Sequence, residues 1–258
     1  MNLCMDPRCG LGYQSASQIA RRVTETWVEA NLFCAACESS FLVSEKNNTE
    51  AVDFKCKACN ASYQLKAMKS WNEHRIPDAG YDAMMRALFS DSIPNLLVMQ
   101  YSSEWVVNNL ILIPSFFFSP AAIQKRKPLS PNARRAGWVG CNILLSEIAA
   151  DGKIRLVTQG CALPEKVARE QYERLRPLSN VSVLSRGWTL DVLRIIRDIN
   201  QDHFCLADVY AFKDALAKIY PRNRNILPKI RQQLQVLRDL NYIRFEGRGR
   251  YNIIDASR

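Results

Sequence analysis

Apolar residues recur at helical spacing over Ser15–Ala30, where Ile19, Val23 and Trp27 share one stripe, and this predicts the first helix. Alternating or continuous apolar runs predict strands at Glu50–Cys56, Ser62–Met68, Asn95–Tyr101 and Trp105–Ile113, with a helix over Tyr81–Phe89 among them. A strand near Ile154–Val157 and a helix near Pro164–Leu175 follow. Strands and helices alternate, which predicts a mixed sheet flanked by helices. The polar, proline-bearing stretch Pro177–Ser182 then reads as a short linker. The expected organisation is an α/β domain over residues 1–180 and a smaller domain over 186–258.

The smaller domain has the clearer pattern. Leu190, Leu193 and Ile196 mark one helix, Leu206–Ile219 a second and Pro228–Leu240 a third. A hairpin follows: Tyr242–Phe245, a turn of Gly247, Arg248, Gly249 and Arg250, then Tyr251–Ile254. Three helices and a basic hairpin are the order of a winged helix-turn-helix. Ile230, Leu234 and Leu237 claim the buried face of the third helix, so Arg231, Gln232 and Gln235 point outward with Lys229 and Arg238 beside them. Arginine and glutamine suit guanine and adenine edges in a major groove. A winged helix that only contacts other proteins is the competing reading, and the basic wing, Arg248 and Arg250, argues against it.

Charge sharpens this picture. The chain of 258 residues carries 35 Lys plus Arg against 25 Asp plus Glu, a net charge of +10. Residues 125–135 contribute +5 through Lys125, Arg126, Lys127, Arg134 and Arg135, and residues 222–250 contribute +6, so the rest is near neutral. Focused basicity of this kind raises phosphate affinity through counterion release. No G-x4-G-K-[ST] loop is present, which removes ATP-driven chemistry from consideration. The most apolar segment, Leu110–Phe118, is broken by Pro114 and falls short of the ~20 residues that cross a bilayer. With no secretory signal at the N-terminus and an odd count of nine cysteines, a soluble, cytoplasmic protein without membrane contact is expected.

Four of those cysteines form a specific pattern. Cys34-x2-Cys37 and Cys56-x2-Cys59, with eighteen residues between the pairs, present four thiolates at the spacing of a closed structural zinc site. Cys4 and Cys9 form a looser pair, and Cys141, Cys161 and Cys205 read as core residues.

The second knuckle should also turn the chain into a hairpin. Positions summing to about 115 then pair, placing Asp53 opposite residue 62 and near Gln64, while Gln64 and Lys66 share a face of their strand. Such a group can hold a divalent metal and set an ammonium beside a water. Taken without the pattern, Asp53 and Lys66 are an exposed pair on a hairpin. His74 and His203 are too few and too separated to form a histidine centre.

Asp53, Gln64, Leu65 and Lys66 resemble the PD-(D/E)XK nuclease signature. Together with the zinc knuckles, Arg126-Lys127-Pro128-Leu129, the segment Ala133–Trp138, the run Lys229–Gln235 and Gly247-Arg248-Gly249, the whole chain resembles the DpnI-type methyl-directed restriction endonucleases. The resemblance implies a PD-(D/E)XK core with an inserted Cys4 zinc site, followed by a winged helix. It implies a type II endonuclease that cuts double-stranded DNA at GATC bearing N6-methyladenine, using Mg²⁺ or Mn²⁺ and acting as a monomer. Asp53 and Gln64 would hold the metal, Lys66 would orient the water, and Cys34, Cys37, Cys56 and Cys59 would hold zinc. Gln64 departs from the acidic residue usual at its place, although some branches of the nuclease superfamily carry glutamine there. Trp138, among Ala136, Gly137 and Gly140, is either a wall for the methyl group or a core tryptophan; Arg126, Arg134 and Arg135 would meet phosphate or base. A non-cleaving methyladenine reader or transcription regulator is the alternative function.

Overall fold

Sixteen residues without glycine or proline, with Val23, Thr24, Trp27 and Val28 buried on one face, make α1 (Ala16–Asn31) the first long element of the computed structural model, which describes residues 1–45, 52–70 and 72–254. Strands β1 (Val43–Ser44), β2 (Phe54–Lys55), β3 (Ser62–Met68) and β4 (Arg75–Gly80) precede α2 (Tyr81–Phe89). Then come β5 (Asn95–Tyr101), β6 (Val107–Ile113), β7 (Ile123–Lys125), β8 (Gly140–Leu144), β9 (Ile154–Thr158), β10 (Cys161–Ala162) and α3 (Glu165–Leu175). The chain ends with α4 (Val183–Ile199), β11 (His203–Cys205), α5 (Leu206–Tyr210), α6 (Lys213–Ile219), α7 (Ile226–Asp239), β12 (Ile243–Gly247) and β13 (Arg250–Ile253).

These elements form two compact units whose segments interleave along the chain. The first comprises Met1–Asn72, Ile93–Ser115 and Gly152–Leu175. Its seven-stranded sheet has the order β1-β2-β3-β5-β6-β9-β10, mixed as the alternating pattern predicts, with β3 and β5 parallel and the other neighbours antiparallel. The unbroken apolar runs of β5 and β6 occupy the middle, where Leu96, Leu97, Leu110, Leu112 and Ile113 are fully buried. The expected strand over Glu50–Cys56 is only Phe54–Lys55 among the described residues, and its first two positions lie outside them. It pairs with β1, which the sequence pattern missed because two residues are too few to show alternation.

The second unit comprises Glu73–Ser92, Phe116–Asp151 and Arg176–Arg258. It has two small sheets, β4-β8-β7 and β11-β13-β12. The helical tail follows the expected order with three differences. The second helix breaks into α5 and α6 around Ala211 and Phe212; α7 starts at Ile226, so Pro228 falls in its first turn, where a missing N–H costs no hydrogen bond; and β11 adds a third strand to the hairpin.

Helix α4 is the hub of this unit. Arg186 is ion-paired with Asp91, and Arg197 makes a two-pronged pair with Asp151 at 2.5 and 2.8 Å. Between them the buried Asp191 accepts hydrogen bonds from the Ser119 hydroxyl (2.7 Å) and the Tyr220 hydroxyl (2.6 Å). Thr189 donates to the buried Gln233 amide oxygen of α7 at 2.7 Å. The helix-turn-helix is thereby fixed to the segment that leads into β7.

Candidate functional site

The second cysteine pair sits on a tight turn. The Cys56 N–H donates to the Ala61 carbonyl (2.9 Å) and Asn60 takes a left-handed φ of 62°, a conformation asparagine tolerates. The four Sγ atoms of Cys34, Cys37, Cys56 and Cys59 lie within 4.8 Å of one another. The Cys34–Cys59 and Cys37–Cys56 separations are both 3.6 Å, close to the roughly 3.8 Å edge of a tetrahedron built on ~2.3 Å zinc–sulfur bonds. The spacing of the knuckles therefore translates into a cage of the size and softness that suits zinc.

Supporting groups hold the cage. The Tyr63 hydroxyl lies 3.2 Å from the Cys34 Sγ and accepts the Ala35 N–H at 3.2 Å. Arg169 of α3 donates to the Cys34 carbonyl (3.1 Å) and the Ser39 carbonyl (2.9 Å). Burial pushes the Cys34 thiol well above its usual range. At Cys56 the same desolvation is outweighed by the N–H groups of Cys59 and Ala58, which bring the thiol down to about 6 and favour the thiolate a metal requires.

Tyr63 belongs to β3, so the cysteine cage is tied to the strand that carries Gln64 and Lys66. The register differs from the expected one. Phe54 pairs with Tyr63 and Lys55 with Ser62, a sum of 117 where 115 was expected. Asp53 departs from the ladder: its N–H donates to the Tyr63 carbonyl at 2.9 Å and its Oδ2 accepts the Leu65 N–H at 2.7 Å. Asp53 thus lies against residues 63–65 and not opposite 62. The cause is the knuckle itself, whose Cys56–Ala61 closure sets the register, with a local irregularity at Asp53 that lays the carboxylate on the backbone between Gln64 and Lys66.

By strand alternation Gln64 and Lys66 share one face, the first buried and the second half-buried. A carboxylate such as that of Asp53 and an amide oxygen such as that of Gln64 are hard ligands of the kind that could hold Mg²⁺ or Mn²⁺, and Lys66 stands one alternation from Gln64 on β3.

The two basic windows fall on distinct elements of the second unit. In residues 126–139 the Arg126 N–H donates to the Gly140 carbonyl (2.9 Å) and the Leu129 N–H to the Trp138 carbonyl (2.9 Å), so the segment doubles back as a loop on β7 and β8. Trp138 is half-buried. Its indole occupies the space above Gly140, where an added Cβ would stand 2.8 Å from ring carbons, and it borders Gly80. The Arg135 guanidinium lies 4.6 Å from the ring centroid. A half-buried ring seated on glycines is not the fully buried core tryptophan of one expectation; the chain beside it carries Leu129, which is 36% exposed, and the exposed Arg126 and Arg135.

On α7, Ile230, Leu234 and Leu237 are buried and Arg231, Gln232 and Gln235 are exposed, as the helical stripe requires. Gln233, which the pattern did not single out, is fully buried as the partner of Thr189. Lys229 is half-buried and its Nζ donates to the Gln232 amide oxygen (2.9 Å). Arg231 stacks 5.7 Å from the Tyr210 ring centroid. The wing turns at Gly247, Arg248 and Gly249, all with positive φ, and presents exposed Arg248 and Arg250.

Comparison with known families adds two findings. Residues 1–181 match the family model described as DpnI, Dam-replacing family. Residues 184–253 match the model described as DpnI_C, Dam-replacing HTH domain.

Proposed function

Since the chain belongs to the DpnI, Dam-replacing family and carries its helix-turn-helix domain, we propose that it is a type II restriction endonuclease that hydrolyses double-stranded DNA at GATC sites carrying N6-methyladenine. The observation that carries this reading is the Asp53 carboxylate bonded to the Leu65 N–H, on the strand that presents Gln64 and Lys66. On this reading residues 1–180 are a PD-(D/E)XK catalytic domain and residues 186–258 a winged-helix reader, working in the cytoplasm as a monomer.

Asp53 and Gln64 would hold a Mg²⁺ or Mn²⁺ ion, which when bound supplies charge neutralisation at the scissile phosphate and an activated water. Lys66 donates a hydrogen bond to the attacking water and opposes the growing phosphate charge. Cys34, Cys37, Cys56 and Cys59 hold structural zinc and so fix the turn on which Asp53 is placed. Trp138 and Leu129 offer an apolar wall for the adenine methyl group. Arg135 leaves the indole for phosphate when DNA arrives, with Arg126 and Arg134 beside it. Arg231, Gln232 and Gln235 read base edges from α7, and Lys229, Arg248 and Arg250 contact phosphates.

One observation favours a second reading. Gln64 brings no charge to the metal site, and a protein that binds methylated DNA without cutting it, as a reader or transcription regulator, would need none. The test is incubation with Mg²⁺ or Mn²⁺ and plasmid prepared from adenine-methylating and non-methylating hosts. Fragments from the methylated plasmid alone establish the nuclease; retarded mobility without fragments establishes the reader.

A further inference from the structure

The sheet face that carries Gln64 and Lys66 changes character along its strands. In the parallel β3–β5 ladder Lys66 pairs with Val98 and Met68 with Gln100, so Leu96, Val98 and Gln100 share the face of Gln64 and Lys66. Across the β5–β6 ladder the same face continues through Ile113, Ile111 and Asn109. Leu96, Val98, Ile111 and Ile113 are buried, whereas Gln100 and Asn109 are half-buried. The apolar surface thus gives way to an amide pair near the C-terminal ends of β3 and β5. Gln100 is the diagonal neighbour of Lys66 there, a relation that puts residues roughly 7–8 Å apart, within reach of long side chains.

The amide pair has a direction. The β9–β10 hairpin turns at Gln159 and Gly160, both with positive φ (48° and 75°), and Gln159 lies inside the turn, outside the ladder pairs. Its N–H donates to the Asn109 Oδ1 at 3.1 Å. With that oxygen engaged, Asn109 offers its NH₂ group to Gln100, and Nδ2 donates to the Gln100 Oε1 at 2.7 Å. A backbone N–H can only donate, so it fixes the orientation of both amides in turn. Gln100 is left with a donor, Nε2, that meets no partner among the described residues.

We propose that the Gln100 Nε2 donates to a non-bridging oxygen of the scissile phosphate beside Lys66, and that Asn109 is the positioning residue that keeps a nitrogen on that side. This rests on the nuclease reading. Negative charge grows on those oxygens as water attacks, and a donor already held by a chain of bonds anchored on the backbone meets it without reorganising. Were the amide reversed, its oxygen would oppose the same charge.

The test is single-turnover cleavage of a short duplex carrying methylated GATC by saturating, zinc-loaded full-length protein with Mg²⁺, beside the dissociation constant for that duplex without Mg²⁺. Gln100→Ala should slow cleavage by about 10²–10³-fold, the cost of one donor to a developing oxyanion, and leave the dissociation constant within a few-fold of wild type. Gln100→Glu keeps the acceptor for Asn109 and removes the donor, so its cleavage should fall at least as far. Asn109→Asp still accepts the Gln159 N–H but turns the Gln100 amide around, and it should slow cleavage to the same order although Gln100 is intact. Asn109→Ala added to Gln100→Ala should cost nothing more, because the two act as one unit. Gln100→Ala and Gln100→Glu proteins that cleave at the wild-type rate, or losses that follow the unfolded fraction given by melting curves, overturn the assignment and leave the nuclease reading intact. Wild-type protein that cuts no methylated duplex brings down the nuclease reading itself. If Gln100→Ala fails to fold, Gln100→Glu and Asn109→Asp, which preserve the shape of the pair, decide the matter.

Discussion

Asp191→Asn should make the protein's stability less dependent on pH, and the size of the effect follows from the surroundings of one carboxyl group. Asp191 is fully buried, and desolvation raises its pKa from 3.8 to about 6 even though Ser119, Tyr220 and Arg194 favour the charged form; Glu147 adds to the rise. An acid whose folded pKa lies above its unfolded value is stabilising below the unfolded pKa, and that contribution is lost as pH rises through the folded one. Here the window runs from 3.8 to about 6, and a shift of that size corresponds to about 3 kcal/mol of folding free energy. Asparagine keeps the shape and one acceptor but cannot ionise. The difference in unfolding free energy, variant minus wild type, should therefore climb by about 2 kcal/mol between pH 4 and 7, most of the full effect. The assay is denaturant unfolding at half-unit pH steps. Any constant cost of the imperfect amide contacts shifts the whole curve and leaves its slope intact, and loss of zinc at low pH is common to both proteins. A difference that stays flat across the window would refute the claim that the buried carboxylate is charged at neutral pH in a site that opposes it.

Three further outcomes are expected. Gly140→Ala puts a methyl group where the Trp138 ring now lies, 2.8 Å from its carbons, so it should cost about 1–3 kcal/mol in stability and erase the preference for methylated over unmethylated duplex in a binding titration. Lys66→Ala should slow DNA cleavage by about 10²–10⁴-fold while the dissociation constant for methylated duplex stays within a few-fold of wild type. Cys56→Ser should lower the zinc content of the purified protein, measured by mass spectrometry, from one ion per chain, and it should release the β2–β3 turn, seen as faster amide exchange at Leu65, the residue bonded to Asp53.

The parts of the fold that could be read from the sequence are those where one physical signal spans several residues. The long runs of β3 and β5 and the stripe of α2 are bounded as their patterns imply, since burial on one or two faces repeats over six or more positions. The exposed row Arg231, Gln232 and Gln235 follows by the same reasoning from the buried row on α7. The strands β1, β10 and β11 have two or three residues each and carry no such signal. β4 contains Pro77, which argues against a strand, and is tolerated because it lies at the edge of its sheet beside β8. The ion pairs that hold α4, such as Arg197 with Asp151 across 46 positions, depend on the completed fold and have no local signature.

The candidate site divides in the same way. Four cysteines at knuckle spacing specify a cage because ligand chemistry constrains them directly, and the cage in turn limits how β2 and β3 can pair. It does not limit the path of Asp53 after the last ladder pair. There the chain can continue the register or slip by one residue, and it slips, exchanging one ladder bond for the bond from the Asp53 N–H to the Tyr63 carbonyl and a carboxylate bond to the Leu65 N–H. A slip of one residue ordinarily turns a side chain to the opposite face of a sheet. At this position it decides whether the Asp53 carboxylate reaches the Leu65 N–H, between Gln64 and Lys66 in the strand. The most consequential contact of the site is therefore set by a balance of two backbone hydrogen-bond patterns, which residue types and spacing leave undetermined.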